Sequence, residues 1–308
     1  TEAEHARIRA EIEERASAVD PFVKYALEVA ADRVIETVRI PLEKPGRFSV
    51  CVSSQVGCAL ACAFCATGKL GLLQNLATWQ IVEQVRIVRR GLPEGGRVHG
   101  VVFQGMGEPL ANAARVIEAI RVMSDPSGQS IDRRNITVCT AGLPAGIAEL
   151  AREVPEVRLG LSLGDVRPGM RARLMPIDQR HPLAEVLCAV GDHAKRSGHA
   201  PMFAYTLIAG ETDQDDAADA LAAVCRGFAD RHGVRPRLSI IPYNEGGADG
   251  FRRPSDERIG AFRARLRERG APSILRYSGG GDVAAACGLL GAPPSGMPGI
   301  LVVDPLPP

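Results

Sequence analysis

Seven short apolar runs rich in β-branched residues recur along the chain, at 48–53, 98–104, 135–140, 157–163, 201–208, 236–242 and 273–277. Stretches with helical apolar spacing separate them, at 78–91, 111–123, 144–152, 183–197, 214–232 and 255–269. Such alternation specifies βαβ units, because parallel neighbours need a crossover that returns the chain to the same end of the sheet. Six or seven units fall short of a closed eightfold barrel. The expected fold is therefore α/β, a partial (β/α)6-type barrel, with its chemistry at the carboxyl ends of the strands. Ahead of the barrel, residues 3–17 and 21–32 carry helix-like spacing, and a β-like run, Val34–Ile40, ends at Pro41. The expected organisation is an N-terminal helical extension over 1–33, the barrel over 34–290, and a Pro/Gly-rich tail over 291–308. Residues 245–254 read as a Gly-rich loop.

With 308 residues, 45% hydrophobic and 24% charged, the chain can bury a large core, and its composition excludes wholesale disorder. It contains no run of 18 apolar residues, and its N-terminus is polar, so neither a membrane span nor a signal core is expected and the cytoplasm is the default. A net charge of +1 demands no nucleic-acid partner, although a neutral total can conceal a basic face. Only Lys24, Lys44, Lys69 and Lys195 are lysines; the many arginines fit a GC-rich codon bias as well as a need for planar phosphate-binding forks. Eight cysteines, three of them within residues 58–65, point to metal binding or catalysis rather than to a disulfide framework.

Those three stand as Cys58-Ala-Leu-Ala-Cys62-Ala-Phe-Cys65, directly after the first barrel-type strand. A zinc site would want a fourth Cys or His at short spacing, and all six histidines are isolated. Three thiolates on one loop suit one 4Fe-4S cluster whose fourth iron stays open to another ligand; a structural zinc loop is the alternative.

This spacing resembles the radical S-adenosylmethionine (SAM) superfamily, in which the open iron chelates the amino and carboxylate groups of SAM. Five stretches, CVSSQVGCALACAFCATGKLGLLQNL (51–76), FQGMGEPLAN (103–112), LMPIDQRHPL (174–183), IIPYN (240–244) and AAACG (284–288), together resemble the RlmN/Cfr family of adenosine methyl synthases. An amidine carbon is not nucleophilic enough to attack a SAM methyl group, so a radical must be made on the methyl. The resemblance implies that Cys287 accepts a methyl group from one SAM. A second SAM, on a cluster held by Cys58, Cys62 and Cys65, then generates the radical that activates that methyl for addition to the base. It further implies that Cys51 resolves the covalent intermediate, that Glu36 accepts a proton, and that Gly107, Glu108, Cys139, Ser162 and Asn244 contact SAM. Glycines let the backbone close on a ligand, and the Glu108 carboxylate can accept hydrogen bonds from the SAM ammonium. The implied partners are RNA and an electron donor of flavodoxin or ferredoxin type, with the enzyme a monomer. Cys188 and Cys225, on helix-like stretches, are expected to be dispensable.

Four departures from the family pattern concern the rim. About 33 residues precede Val34, too few for the family's accessory domain; Gly164-Asp165 replace a family histidine; Cys139 stands for a serine; and Leu289 stands for a glutamine. With the neutral charge and 4% aromatic content, these leave two substrates open: an RNA adenosine, at C2 or C8, or a small molecule, nucleotide or peptide treated by the same chemistry. The smaller-substrate reading expects weak, little salt-dependent RNA binding. A non-enzymatic iron–sulfur or zinc-binding protein is the third possibility.

Overall fold

The computed structural model describes residues 13–30, 33–246 and 250–291. In chain order the strands are β1 (Glu13–Ala16), β2 (Val23–Ala30), β3 (Arg33–Pro41), β4 (Arg47–Cys51), β5 (Gln55–Gly57), β6 (Leu72–Asn75), β7 (Arg97–Phe103), β8 (Ile136–Thr140), β9 (Arg158–Ser162), β10 (Met202–Leu207), β11 (Arg237–Pro242) and β12 (Ser273–Leu275). The α-helices are α1 (Ala66–Lys69), α2 (Thr78–Arg90), α3 (Ala113–Ser124), α4 (Pro144–Glu153), α5 (Met170–Leu174), α6 (Leu183–Ser197), α7 (Asp215–His232) and α8 (Asp256–Glu268).

Ten strands form one sheet in the order β1-β2-β3-β4-β7-β8-β9-β10-β11-β12, and β5 and β6 form a separate hairpin. From β4 through β12 the pairs within the large sheet are parallel. Helices α2, α3, α4, α6, α7 and α8 each link two successive parallel strands. This is the partial (β/α)6 arrangement that the alternation of apolar runs specifies. The core lies between sheet and helices: Val116, Ile117, Ile120 and Met123 share the inward face of α3 and are almost wholly buried against strands such as β8, whose Ile136 and Val138 are fully enclosed. Each such side chain contributes up to about 1.5–3 kcal/mol by leaving water.

The N-terminal expectation needs correction. Residues 13–16 and 23–30 are strands, not helix, and they extend the parallel sheet antiparallel through β3. Val23 and Leu27 lie four apart, a spacing that fits one face of a helix and also one face of a strand with Tyr25 between them. Pairing decides the outcome: β2 aligns Val23 with Arg39 and Leu27 with Ile35, burying Val23, Tyr25 and Leu27 together. Residues 1–12 lie outside the described residues, as do 247–249 of the Gly-rich loop and 292–308 of the expected tail.

Candidate active site

The carboxyl ends of the parallel strands carry the candidate residues. After β4 the chain runs through β5 into the cysteine loop, where Cys58 N donates to Gly71 O (2.8 Å) and Ala63 N to Leu174 O (2.9 Å). Ala61 takes a left-handed φ of 49°, which tightens the turn between Cys58 and Cys62. Cys65 precedes α1, and Gly68 lies so close that a Cβ there would stand 3.1 Å from Cys62 N. Cys58, Cys62 and Cys65 are half-buried and form no disulfide. Burial pushes the Cys58 thiol up to about 11 and raises Cys62 as well, with neighbouring thiols and Glu108 adding to the effect. Among the described residues no three His, Cys, Asp or Glu side chains converge tightly enough for a single ion.

The Gly105-Met106-Gly107-Glu108 turn after β7 is stitched to the chain that leaves β4. Met106 O accepts from Ser54 N (2.8 Å) and Gln55 N (3.2 Å), and Met106 N donates to Ser53 Oγ (2.9 Å). The approach requires glycine: a Cβ on Gly107, where φ is 96°, would stand 2.5 Å from Gln55 Cβ. Glu108 is buried between this turn and β8, and its carboxylate accepts from Leu110 N (3.0 Å) and Ala141 N (2.8 Å). Burial raises its pKa against those hydrogen bonds. Both oxygens therefore have backbone partners already, with lone pairs left over for a cationic ligand. Ser162 ends β9, half-buried, and pairs in register with Ala204.

A second constellation lies beside the first. Cys51, at the end of β4, and Cys287 line one cavity of about 80 Å³ together with Val38, Gln104 and Arg276. Cys139 faces the same group: its Sγ stands 3.8 Å from Gln104 Oε1, and Gly160 leaves it room, since a Cβ there would lie 2.9 Å from that sulfur. Burial pushes both Cys51 and Cys139 up to about 12, and the Arg276 guanidinium opposes the shift.

The Cys287 turn is tied down at several points. Cys287 O accepts from Asn244 Nδ2 (3.0 Å), Gly288 O from Ala66 N (2.9 Å) and Leu290 O from Thr67 Oγ1 (2.6 Å). Gly291 N donates to Glu36 Oε2 (2.7 Å), while Glu36 Oε1 is paired with Lys24 Nζ at 2.8 Å, both side chains almost wholly buried. At the cavity mouth the N-terminal strands meet this turn: Ser17 Oγ donates to Asp282 Oδ1 (2.7 Å), Tyr277 OH to Asp20 Oδ2 (2.8 Å), and the Phe22 and Tyr277 rings pack edge to face.

The chain matches the radical SAM superfamily over residues 52–221. A probable RNA methyltransferase of Sorangium cellulosum is 63% identical over 307 residues, covering 93% of this chain and 78% of that protein. The dual-specificity RNA methyltransferase RlmN of Syntrophobacter fumaroxidans is 39% identical over 271 residues, 88% of this chain and 77% of that one. A crystal structure of a radical SAM methyltransferase from Sphaerobacter thermophilus superposes with a TM-score of 0.84 at 38% identity, covering 91% of this chain and 80% of the other. The chain belongs to the RlmN family of radical SAM methyltransferases.

A radical SAM methyltransferase works with one 4Fe-4S cluster and SAM, and the reduced, half-exposed thiols of the 58–65 loop fit such a cluster. The structure also gives this methyltransferase residues that its motifs do not announce. Arg171 is buried beneath the site and donates from Nε to Leu163 O (3.0 Å) and from its terminal nitrogens to Ala141 O (2.6 Å) and Asp178 Oδ1 (2.7 Å), tying the ends of β8 and β9 together. Its position beside the LMPIDQRHPL stretch was the available signal. Gln104 lies within the FQGMGEPLAN stretch but carries no chemistry that its neighbours announce, and Lys24 and Arg276 lie in no such stretch. The rim substitutions also gain a physical account. Gly164 has φ 67°, and a Cβ there would stand 2.5 Å from Met175 Sδ, so a histidine would require Met175 to move. Asp165 turns inward to Arg167 (2.7 Å) and offers nothing to the site. Cys225 packs in the core on α7, and Cys188 sits on α6 with Arg231 3.5 Å from its sulfur.

Proposed function

We propose that this enzyme methylates an adenine carbon of RNA through a methyl group carried on Cys287. The observation that supports this most directly is the shared cavity of Cys51 and Cys287 next to the cysteine loop, since a methyl carrier and a resolving thiol must meet the same substrate atom. When bound, the cluster and SAM supply the methyl group and the one-electron cleavage that lets an unreactive methyl add to an sp2 carbon. Cys58, Cys62 and Cys65 hold the iron, and the Gly105–Gly107 backbone, Glu108 and Ser162 shape the SAM site. The Cys287 sulfur takes the methyl and presents it, and Cys51 stands ready to release the product. Glu36, already bonded to Gly291 N and Lys24, is suited to anchor the carrier turn. Gly288 and Gly291, both with positive φ, give the Cys287 turn pivots for visiting a methyl donor and then the substrate.

RNA is favoured over a small molecule by the names of the relatives and by Tyr277, 69% exposed at the cavity mouth, where a neighbouring base could stack. The same reading includes a flavodoxin- or ferredoxin-type electron donor, a monomer and a cytoplasmic location; among the described residues no helix is long and apolar enough to cross a membrane. The test is nucleoside chromatography of RNA incubated with the reconstituted enzyme, SAM and a low-potential reductant. A methyladenosine is expected. Its absence, with Cys287 methylated, would overturn the RNA assignment.

A further inference from the structure

Three side chains that line the Cys51–Cys287 cavity, Ser278, Arg276 and Gln104, each keep a polar group that no described residue partners. Ser278 Oγ is buried and makes no hydrogen bond. The Arg276 guanidinium, enclosed among Cys51, Cys139 and Cys287, has no ion pair or hydrogen bond to any described residue, its backbone N–H alone being engaged, with Ile240 O. Gln104 keeps its backbone against the Cys51 sulfur and its Oε1 near Cys139, which leaves Nε2 uncommitted. The remaining lining is apolar, aromatic, thiol or backbone, with no carboxylate in it. Ser278 Oγ is fully buried, and a buried polar group is costly until a ligand completes it, while Arg276 and Gln104 Nε2 offer an occupant donors from the same wall.

We propose that Gln104 is the residue that reads the target base, with Arg276 and Ser278 completing its hydrogen bonds. This rests on the RNA reading above. A carboxamide pairs bidentately with adenine, Oε1 accepting from the exocyclic amino group and Nε2 donating to the adjacent ring nitrogen. Arg276 then donates to a second ring nitrogen, which places positive charge beside the heterocycle while its carbon is attacked. Gln104 is placed for this because its own backbone touches Cys51, the thiol that must reach the same carbon.

The experiment compares an RNA hairpin bearing adenosine at the modified position with the same hairpin bearing purine riboside, which lacks the amino group. Wild type, Gln104→Met and Arg276→Lys are each assayed for kcat/KM. Mass spectrometry of Cys287 reports separately whether each protein is folded and loaded. Wild type is expected to favour adenosine by about fivefold to a hundredfold, as one bidentate pair allows. Gln104→Met should lose that preference by falling on adenosine alone, whereas Arg276→Lys should slow both RNAs and keep the preference. A Gln104→Met enzyme that still prefers adenosine, or a wild type indifferent to the amino group, overturns the proposal while the RNA reading stands. If wild type methylates neither RNA, both fall together.

Discussion

Asn244 holds Cys287 by its main chain: the side-chain amide donates to the Cys287 carbonyl oxygen at 3.0 Å, joining the end of β11 to the turn that carries the candidate methyl acceptor. A residue expected to touch SAM thus also bonds the carrier turn. Replacing Asn244 with Leu removes a bond worth about 1 kcal/mol. Hydrogen exchange of the 285–290 amides should speed up by about fivefold in the variant without SAM, and unchanged rates would show that the turn is held elsewhere.

Cys62→Ala should prevent cluster assembly. Iron per chain after anaerobic reconstitution is the readout, and full retention of iron would remove the 58–65 loop from that role. Cys225→Ala should keep the iron, since its thiol lies in the core on α7.

Protein made in SAM-replete cells should carry one added methyl on the tryptic fragment that begins at Tyr277 and contains Cys287. A methyl on Cys51 with none on Cys287 would exchange their assigned roles.

The buried Lys24–Glu36 pair predicts an asymmetry. Lys24→Met strands a buried carboxylate and should destabilise the protein by about 3–5 kcal/mol, whereas Lys24→Met with Glu36→Leu should recover most of that. Urea unfolding of both variants decides it; equal losses would mean that the pair acts only through packing.

His193 sets an acid limit. Burial, with His199 nearby, holds its pKa down at about 4, below the ordinary value of 6.5, and its Nε2 has no partner. The unfolded chain binds a proton that the folded chain refuses. Its contribution to stability is thus complete above about pH 6.5 and declines as the pH falls towards 4, by about 2 kcal/mol at pH 5. His193→Leu should flatten that decline in urea midpoints measured between pH 7.5 and 5.

The barrel was legible because each strand and helix announces itself locally: the stretch expected at 183–197 is α6 over Leu183–Ser197, with Val186, Val190 and Ala194 inward at helical spacing. The cysteine loop was legible because its ligands are adjacent in sequence. Residues 13–30 were misread because Val23 and Leu27 satisfy two periodicities, and only pairing with β3 chooses between them. Asp165 was read as a change at the rim, yet it faces inward to Arg167. Gln104 stands in a quoted stretch, yet its meeting with Arg276 and Ser278 was not legible, because only the folded sheet brings the ends of β7 and β12 to one cavity.

The hydrogen bond from Ser17 to Asp282 spans 265 positions, and the Tyr277–Asp20 bond beside it spans nearly as many. Contacts this distant close late, because the entropy of so long a loop is recovered only once the intervening units have collapsed. The two ends of the described chain thus act as a clasp, so the wall around Cys51 and Cys287 is held by contacts that any cut between them would leave to non-covalent bonding alone.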